Sequence, residues 1–330
     1  MPKSDNQKLK MMYLLKILEQ KTDAEHGLSM KQIIEALEEE GVTAERKSIY
    51  SDVSLLQEFG CDIVIDQVGK NYEYKLVSRD FELPELKLLV DAVQSSKFIT
   101  QRKSNDLIRK IEGLASEYEA KSLQRQVFVK NRIKTTNESV YYNVDEIQLA
   151  LAQNSKISFQ YFQWNPDKEK VLRHDGARYE ISPWALTWDD ENYYMVGYDS
   201  KDEKIKHFRV DKMLKIKTIE DSKREGKKLF ENMDMAVYAK TIFGMFGGEE
   251  EIITLRCKNS MAGVVIDRFG TEVNITKKEK EHFLCRVPVQ VSPQFFGWVF
   301  SLGEDVQIVS PDSVIEKMKE EVAKVSKLYK

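Results

Sequence analysis

The sequence predicts an α+β chain divided into several domains, and three observations carry that reading. The first eighty residues hold three helix-period stripes followed by an alternating two-stranded ribbon. From about residue 143, short alternating segments follow one another with polar turns between them, as in a small, strongly bent antiparallel sheet. Towards the C-terminus the order becomes strand, helix, strand, strand, helix, strand, which is the ferredoxin-like arrangement. A length of 330 residues is ample for two or three such domains.

Met11, Leu14, Leu15 and Leu18 recur at helical spacing and mark the first helix. Ser29 and Gln32 have the spacing of a capping box and open a second helix, with Met30, Ile33, Ile34 and Leu37 on one face and Gly41 as its stop. Thr43 is the expected cap of a third helix through AERKSIYSDVSLLQEF, whose buried face is Ile49, Val53 and Leu56. CDIVID, the turn QVGKN and YEYKLV then alternate as a ribbon. Three short helices and a terminal ribbon make residues 1–79 a winged helix-turn-helix.

The outer face of the third helix offers Arg46, Lys47, Ser48, Tyr50 and Ser51, short polar and basic groups that suit base edges and phosphates in a major groove. Lys70 and Asn71 sit at the ribbon tip, within reach of a flanking phosphate or the minor groove. The run TAERKSIYSDVSLLQEFGCDI resembles the recognition helix and the start of the wing in DeoR-type regulators. Ser48 stands where threonine is usual there. Ser51 stands where an arginine is often found, which removes one phosphate-binding charge. The resemblance implies a partner in double-stranded DNA.

Residues 80–140 read as charged helices. LPELKLLVDAV carries a proline early in its helix, and Leu107, Ile111, Leu114 and Tyr118 mark a second stripe. Helices in this place link or dimerise a DNA-reading module.

Residues 141–225 begin with the helix VDEIQLALAQN and continue as strands through KISFQYFQW, KVLRH, RYEISPWALTW, NYYMVGYD and IKHFRVDKMLKIKTI. This series resembles the WYL domain, a small antiparallel Sm/SH3-like β domain. Pro183, Leu186, the run from Tyr193 to Asp199 and the run from Phe208 to Met213 keep that family's spacing. Tyr193 and Met195 replace the tryptophan and leucine of its namesake triplet, and Lys212 replaces an arginine. The resemblance implies a sensor whose ligand differs from member to member. Residues 226–330 are a mixed linker ending FGMFGG, then the ferredoxin-like unit and a last helix with Val314, Met318, Val322 and Val325 on one stripe. Phe295, Trp298, Gly303, Val306, Ile308 and Pro311 resemble the extension that commonly follows WYL domains.

Within the sensor, alternation puts His207, Arg209 and Asp211 on one face of their strand. An arginine inside a strand needs an anionic partner. Arg209 is therefore the expected effector contact, with the plain alternative that Asp211 or another carboxylate already pairs it. His207, Tyr161, Ser182, Tyr193, Tyr194 and Lys212 complete the candidate effector wall. Arginine beside aromatic faces suits the phosphates and bases of nucleotides or short single strands.

Composition limits the alternatives. The net charge is −3, and residues 1–79 hold 11 Lys and Arg against 14 Asp and Glu, so no global basic charge announces nucleic acid. Four of those acids lie together in EALEEE at 35–40, which leaves charge free to segregate by face. The three cysteines are far apart and form no CxxC pair, which points to a reducing compartment. No apolar run approaches the roughly 18 residues of a membrane span, and the N-terminus shows no signal-peptide cleavage site. A cytoplasmic protein is expected. GMFGG lacks the lysine of a phosphate loop, and no HExxH or GxSxG is present, so catalysis, a metal and a cofactor are not expected.

These readings converge on a ligand-responsive transcriptional regulator that binds duplex operator DNA as a homodimer and senses a nucleotide, oligonucleotide or other anion. Two alternatives stay open. One is a nucleotide or single-strand capture module whose winged helix docks protein. The other is an amino-acid sensor built on the C-terminal unit.

Overall fold

A computed structural model of the chain describes residues 9–123, 134–231, 233–278 and 280–329. The chain divides into two units, 1–136 and 137–330.

In the first unit, α1 (Lys10–Lys21) is followed by β1 (Leu28–Ser29), α2 (Met30–Glu39), α3 (Arg46–Phe59), β2 (Ile63–Val68) and β3 (Asn71–Leu76). One core takes Leu14, Ile17 and Leu18 from α1, Ile33 and Leu37 from α2, and Ile49, Val53 and Leu56 from α3. The inward face of α1 thus includes Ile17, with Met11 and Leu15 at its edge. The capping box is present: the Ser29 hydroxyl accepts from the Gln32 N–H, and the Gln32 side chain accepts from the Ser29 N–H. Thr43 does not cap α3. The helix starts after Glu45, whose backbone is extended and whose side chain makes no cap hydrogen bond. The connection from α2 stays open through this stretch because Val42 is fully buried in the core. The three strands pair antiparallel in the order β1-β3-β2, and Gly69 takes a positive φ of 64° in the ribbon turn.

Three helices complete the described part of this unit, α4 (Leu83–Ser95), α5 (Gln101–Glu112) and α6 (Glu117–Leu123). The expected stripe through Leu107, Ile111, Leu114 and Tyr118 is broken, because α5 stops at Gly113 and leaves Leu114 and Tyr118 exposed. Tyr118 instead stacks on His26, ring centroids 3.8 Å apart. Asp23, almost fully buried, accepts hydrogen bonds from the His26 N–H (2.8 Å) and from the Ser116 hydroxyl (2.6 Å). Burial alone would raise its carboxyl, but these hydrogen bonds hold it below the usual range. That contact ties the helical segment to the three-helix core.

The second unit opens with α7 (Val140–Ala152), followed by β4 (Ile157–Trp164), β5 (Lys170–Leu172), β6 (Tyr179–Asp189), β7 (Asn192–Asp199), β8 (Lys204–Arg209) and β9 (Met213–Thr218). The sheet order is β5-β4-β6-β7-β8, with β9 paired on β4. IKHFRVDKMLKIKTI is therefore not one strand. A 3-10 turn at Val210–Lys212 splits it and returns β9 to β4, wrapping the sheet round Phe159, Tyr161, Met195, Phe208 and Met213. α7 fastens this bend: Asn143 donates to the carbonyls of Val210 (3.3 Å) and Met213 (3.0 Å).

The expected linker at 226–248 contains α8 (Lys227–Phe230) and α9 (Met235–Thr241). Next come β10 (Glu249–Lys258), α10 (Ala262–Phe269), β11 (Asn274–Lys278), β12 (His282–Val291), α11 (Pro293–Ser301), β13 (Val306–Ser310) and α12 (Asp312–Lys327). The strands pair antiparallel in the order β11-β12-β10-β13, so each helix crosses over one intervening strand. Phe295, Val306, Ile308 and Val314 lie in the core beneath.

Lys10 and Asp52 form a buried ion pair at 2.7 Å, and the lysine also donates to the Ser48 hydroxyl. The angle at Asp52 Oδ2 is not that of a hydrogen bond, so the attraction there is chiefly Coulombic. Lys10→Ala strands a buried carboxylate and is expected to lower stability by about 3–5 kcal/mol in urea unfolding. Lys10→Met combined with Asp52→Leu is expected to restore most of that loss, and equal losses in the two variants would refute the burial argument.

Candidate functional site

Two surfaces hold the candidate residues, one in each unit. On α3 the inward positions Ile49, Asp52, Val53 and Leu56 follow the helical period, so the opposite side must face out. Arg46, Lys47, Tyr50 and Ser51 are exposed there, as are Lys70 and Asn71 at the ribbon tip. Ser48 differs: it is half-buried and its hydroxyl is engaged by Lys10. Tyr50 hydrogen-bonds Tyr74 of β3, whose phenol is raised first by burial and then by Tyr50. The acidic run at 35–40 lies apart on α2 and its end, where Glu39 and Glu40 pair with Lys21 and Lys16 of α1.

In the second unit, Arg209 ends β8 opposite Tyr194 of β7. Its guanidinium donates to both carboxylate oxygens of Asp211, at 3.0 and 2.9 Å, and to Asn192 Oδ1 at 2.8 Å. The 3-10 turn makes this possible by curling Asp211 back towards Arg209. The anionic partner that the sequence demanded is thus inside the chain. Burial opposes the charge of Arg209, but the hydrogen bonds and charge of Asp211 outweigh it and hold the guanidinium above its ordinary range. The Tyr161 hydroxyl accepts from the Arg209 N–H at 3.2 Å, and burial pushes that phenol up to about 12.

Lys212 lies next to this pair. Burial first, and then the positive charges of Arg209 and Arg173, hold it below the ordinary lysine range against the pull of Asp211. Lys212 therefore feels two arginine charges and the Asp211 carboxylate. On the adjoining hairpin, the Lys170 ammonium sits over Phe162 (4.9 Å) and over Trp164 (5.6 Å), which is half-exposed. Trp164, Lys170 and Arg173 were not singled out in the sequence. Their signal was the pair QW and K six residues apart flanking a turn, which alone says nothing about an anion site.

The other candidates lie elsewhere. Ser182 is fully buried and accepts from the Glu225 N–H at 2.9 Å. It pairs with Tyr198, four residues along β7 from Tyr194 and so about 13 Å from the Arg209 position. His207 faces α9, with Nε2 3.3 Å from the Tyr238 hydroxyl. Tyr193 packs edge-on against its cross-strand neighbour Trp188 at 4.7 Å. Tyr194 feels both Arg209 and Asp189. Asp189 in turn is raised by burial, a rise that Arg268 of α10 opposes. Arg268 lies 4.0 Å over the Phe243 ring. Among the described residues no group of three or more His, Cys, Asp or Glu side chains is placed to hold a metal. No helix there is long and apolar enough to cross a membrane.

Comparison with known proteins bears on the second unit. Residues 142–218 match the WYL domain, and residues 249–326 match the WCX domain. No curated protein matches the sequence. Among solved structures the chain is similar to proteasome accessory factor B/C (PafBC) of Arthrobacter aurescens, with 15% identity and a TM-score of 0.27. That match covers 92% of this chain and 44% of the other, so the chain spans less than half of that relative's length. It is also similar to a CRISPR Cas-related protein, with 13% identity, a TM-score of 0.36 and coverage of 74% of this chain and 71% of that one. At these scores neither likeness bears on function.

Burial pushes the His207 imidazole down to about 4. The unfolded chain therefore binds the proton first, and stability is complete above about pH 6.5 and declines as pH falls towards 4. Between about pH 7.5 and pH 5 the loss amounts to about 2 kcal/mol. His207→Gln keeps an acceptor for Tyr238 and is expected to lose about 2 kcal/mol less over that interval in urea unfolding; the same pH dependence in both proteins would contradict this assignment.

Proposed function

We propose that this chain, which carries a WYL domain followed by a WCX domain, is a DNA-binding transcriptional regulator that acts as a homodimer and senses an anionic effector. One observation carries the reading: α3 turns Ile49, Val53 and Leu56 inward and leaves Arg46, Lys47, Tyr50 and Ser51 exposed, in the same unit as a ribbon that exposes Lys70 and Asn71. A helix so presented suits a major groove, and the ribbon tip suits a flanking phosphate. With few phosphate contacts per module, affinity is low and salt-sensitive, which a dimer on two half-sites corrects. In this reading residues 1–79 bind DNA, 80–140 link or dimerise, 141–225 sense and 226–330 support the dimer.

The effector reading rests on the cluster of Arg209, Lys212 and Arg173, with the half-exposed ring of Trp164 on the β4–β5 hairpin that leads to Arg173. Asp211 orients Arg209, and the surplus cations attract a phosphate while Trp164 offers a base its face. An effector held there shifts the regulator only if it binds the DNA-competent and incompetent states with different affinity. The charge of Arg268 on α10, which opposes the rise of the Asp189 carboxyl, links β6 electrostatically to the C-terminal half.

Fluorescence anisotropy with duplex DNA from upstream of the coding region tests the first part. Arg46→Ala and Lys47→Ala are each expected to weaken binding several-fold and to flatten the log–log salt slope by about one. Unchanged affinity and slope in both variants would reject the DNA reading. For the second part, a labelled single-stranded oligonucleotide is expected to bind the wild type and to bind Trp164→Ala and Lys212→Ala about tenfold more weakly. Equal binding by all three proteins would remove the effector wall from consideration.

A further inference from the structure

Lys10 opens α1, and the first turn of a helix is where a cation is least favoured. It is also only 7% exposed, although a lysine is almost never buried without a partner. Neither cost serves α1 itself, whose core contacts come from Leu14, Ile17 and Leu18. What the ammonium touches lies on α3: it is 2.7 Å from Asp52 Oδ2 and donates to the Ser48 hydroxyl. Those two residues are one turn apart on one side of the helix, so a single cation reaches both.

Asp52 accounts for the charge of Lys10, because together they leave the buried spot neutral. Ser48 needs a separate reason. An ammonium carries only donors, so it takes a lone pair of the hydroxyl oxygen and turns the Ser48 proton away from itself. A serine in a helix commonly donates to the carbonyl four residues back. That bond is not made, and among the described residues the Ser48 hydroxyl donates to no group. Ser48 is half-buried in the first turn of α3, Glu45 before it makes no side-chain cap bond, and Arg46 and Lys47 are exposed beside it. A hydroxyl polarised by a buried ammonium, in an uncapped first turn with two cations alongside, is matched to an anionic acceptor rather than to a base edge.

We infer that Lys10 is a positioning residue for DNA: it fixes the Ser48 hydroxyl as a donor to one phosphate oxygen of the duplex. Asp52 cancels the charge of Lys10, so the contact adds no net cation to the interface. This rests on the DNA-binding reading and assigns Ser48 a phosphate in place of a base. Ser48 thereby sets the register of α3 on the duplex and carries no sequence preference.

Anisotropy of the full chain on the upstream duplex, and on a scrambled duplex of equal length, tests this. Ser48→Ala is expected to weaken binding to both about tenfold. The log–log salt slope is expected to stay unchanged, because a neutral donor displaces no counterion. A flattened slope, or a loss confined to one duplex, would overturn the phosphate assignment. Ser48→Thr keeps the hydroxyl and is expected to recover most of what alanine loses; a loss as large as that of alanine would overturn the donor role. Lys10→Met with Asp52→Leu removes the ammonium at constant net charge, and circular dichroism checks its fold. In that background Ser48→Ala is expected to cost less than about threefold, and the full tenfold there would overturn the role of Lys10. The two Ser48 variants decide the donor role whether or not the double variant folds. A wild type that binds while Ser48→Ala binds equally well overturns this inference alone. A wild type that binds neither duplex overturns the DNA reading with it.

Discussion

Arg209 is held by Asp211 across the 3-10 turn, and much of the segment that matches the WYL domain depends on that bend. A continuous strand would carry Asp211 about 7 Å onward on the same face. The 3-10 turn at Val210–Lys212 brings the carboxylate back, and both of its oxygens accept. The same turn returns β9 to β4 and so closes the sheet round its core. α7 holds the turn from behind through Asn143, and Asn137 donates to the Asp211 carbonyl at 2.8 Å. Core closure and placement of the arginine are thus one structural event. Its by-product is Lys212, set near Arg209, Arg173 and Asp211.

The residues that match the WYL domain meet the C-terminal half at both ends of the β6–β7 hairpin and at His207, which meets Tyr238 of α9. Near the tip of the β6–β7 hairpin, Asp189 feels the charge of Arg268 of α10. At the hairpin's other end, residues 224–226 lie along β6. The Arg224 guanidinium covers Trp184 at 4.3 Å, the Trp184 indole donates to the Glu225 carbonyl at 2.8 Å, and Ser182 takes the Glu225 N–H. Gly226 completes the strap: its φ is 82°, and a Cβ there would stand 2.4 Å from the Tyr198 ring. A displacement at either end of the hairpin is therefore felt by the C-terminal half. Ser182, read from the sequence as a hydroxyl for a ligand, belongs to this strap.

Much of the architecture was legible in the residues. The Ser29 and Gln32 capping box, the inward face of α3 and the strand–helix order of the C-terminal half all follow from spacings that local physics enforces. The failures share a cause as well. Thr43 satisfies the rule for a cap, but burial of Val42 decides where α3 begins. The stripe through Leu114 and Tyr118 fits one helix, but Gly113 ends it and Tyr118 goes to His26. Of the effector candidates, Tyr161, Tyr194, Arg209 and Lys212 lie around one spot, whereas His207 and Ser182 point to α9 and to the strap.

By itself, the sequence determined the order of the main helices and strands in the stretches 10–76 and 249–327, because period and turn chemistry are properties of neighbouring residues. It also determined that Arg209 required an anion, because a charge on a half-buried strand is costly without one. Only the tertiary structure decided which anion, since Asp211 reaches the guanidinium through a turn that long-range packing of α7, β4 and β9 imposes. The same holds for the aromatic and basic wall. Arg173 comes near enough to act on the charge of Lys212 only when β5 folds back on β4 and β9 returns to it. Proximity of that kind depends on pairing between distant segments, which no local pattern encodes.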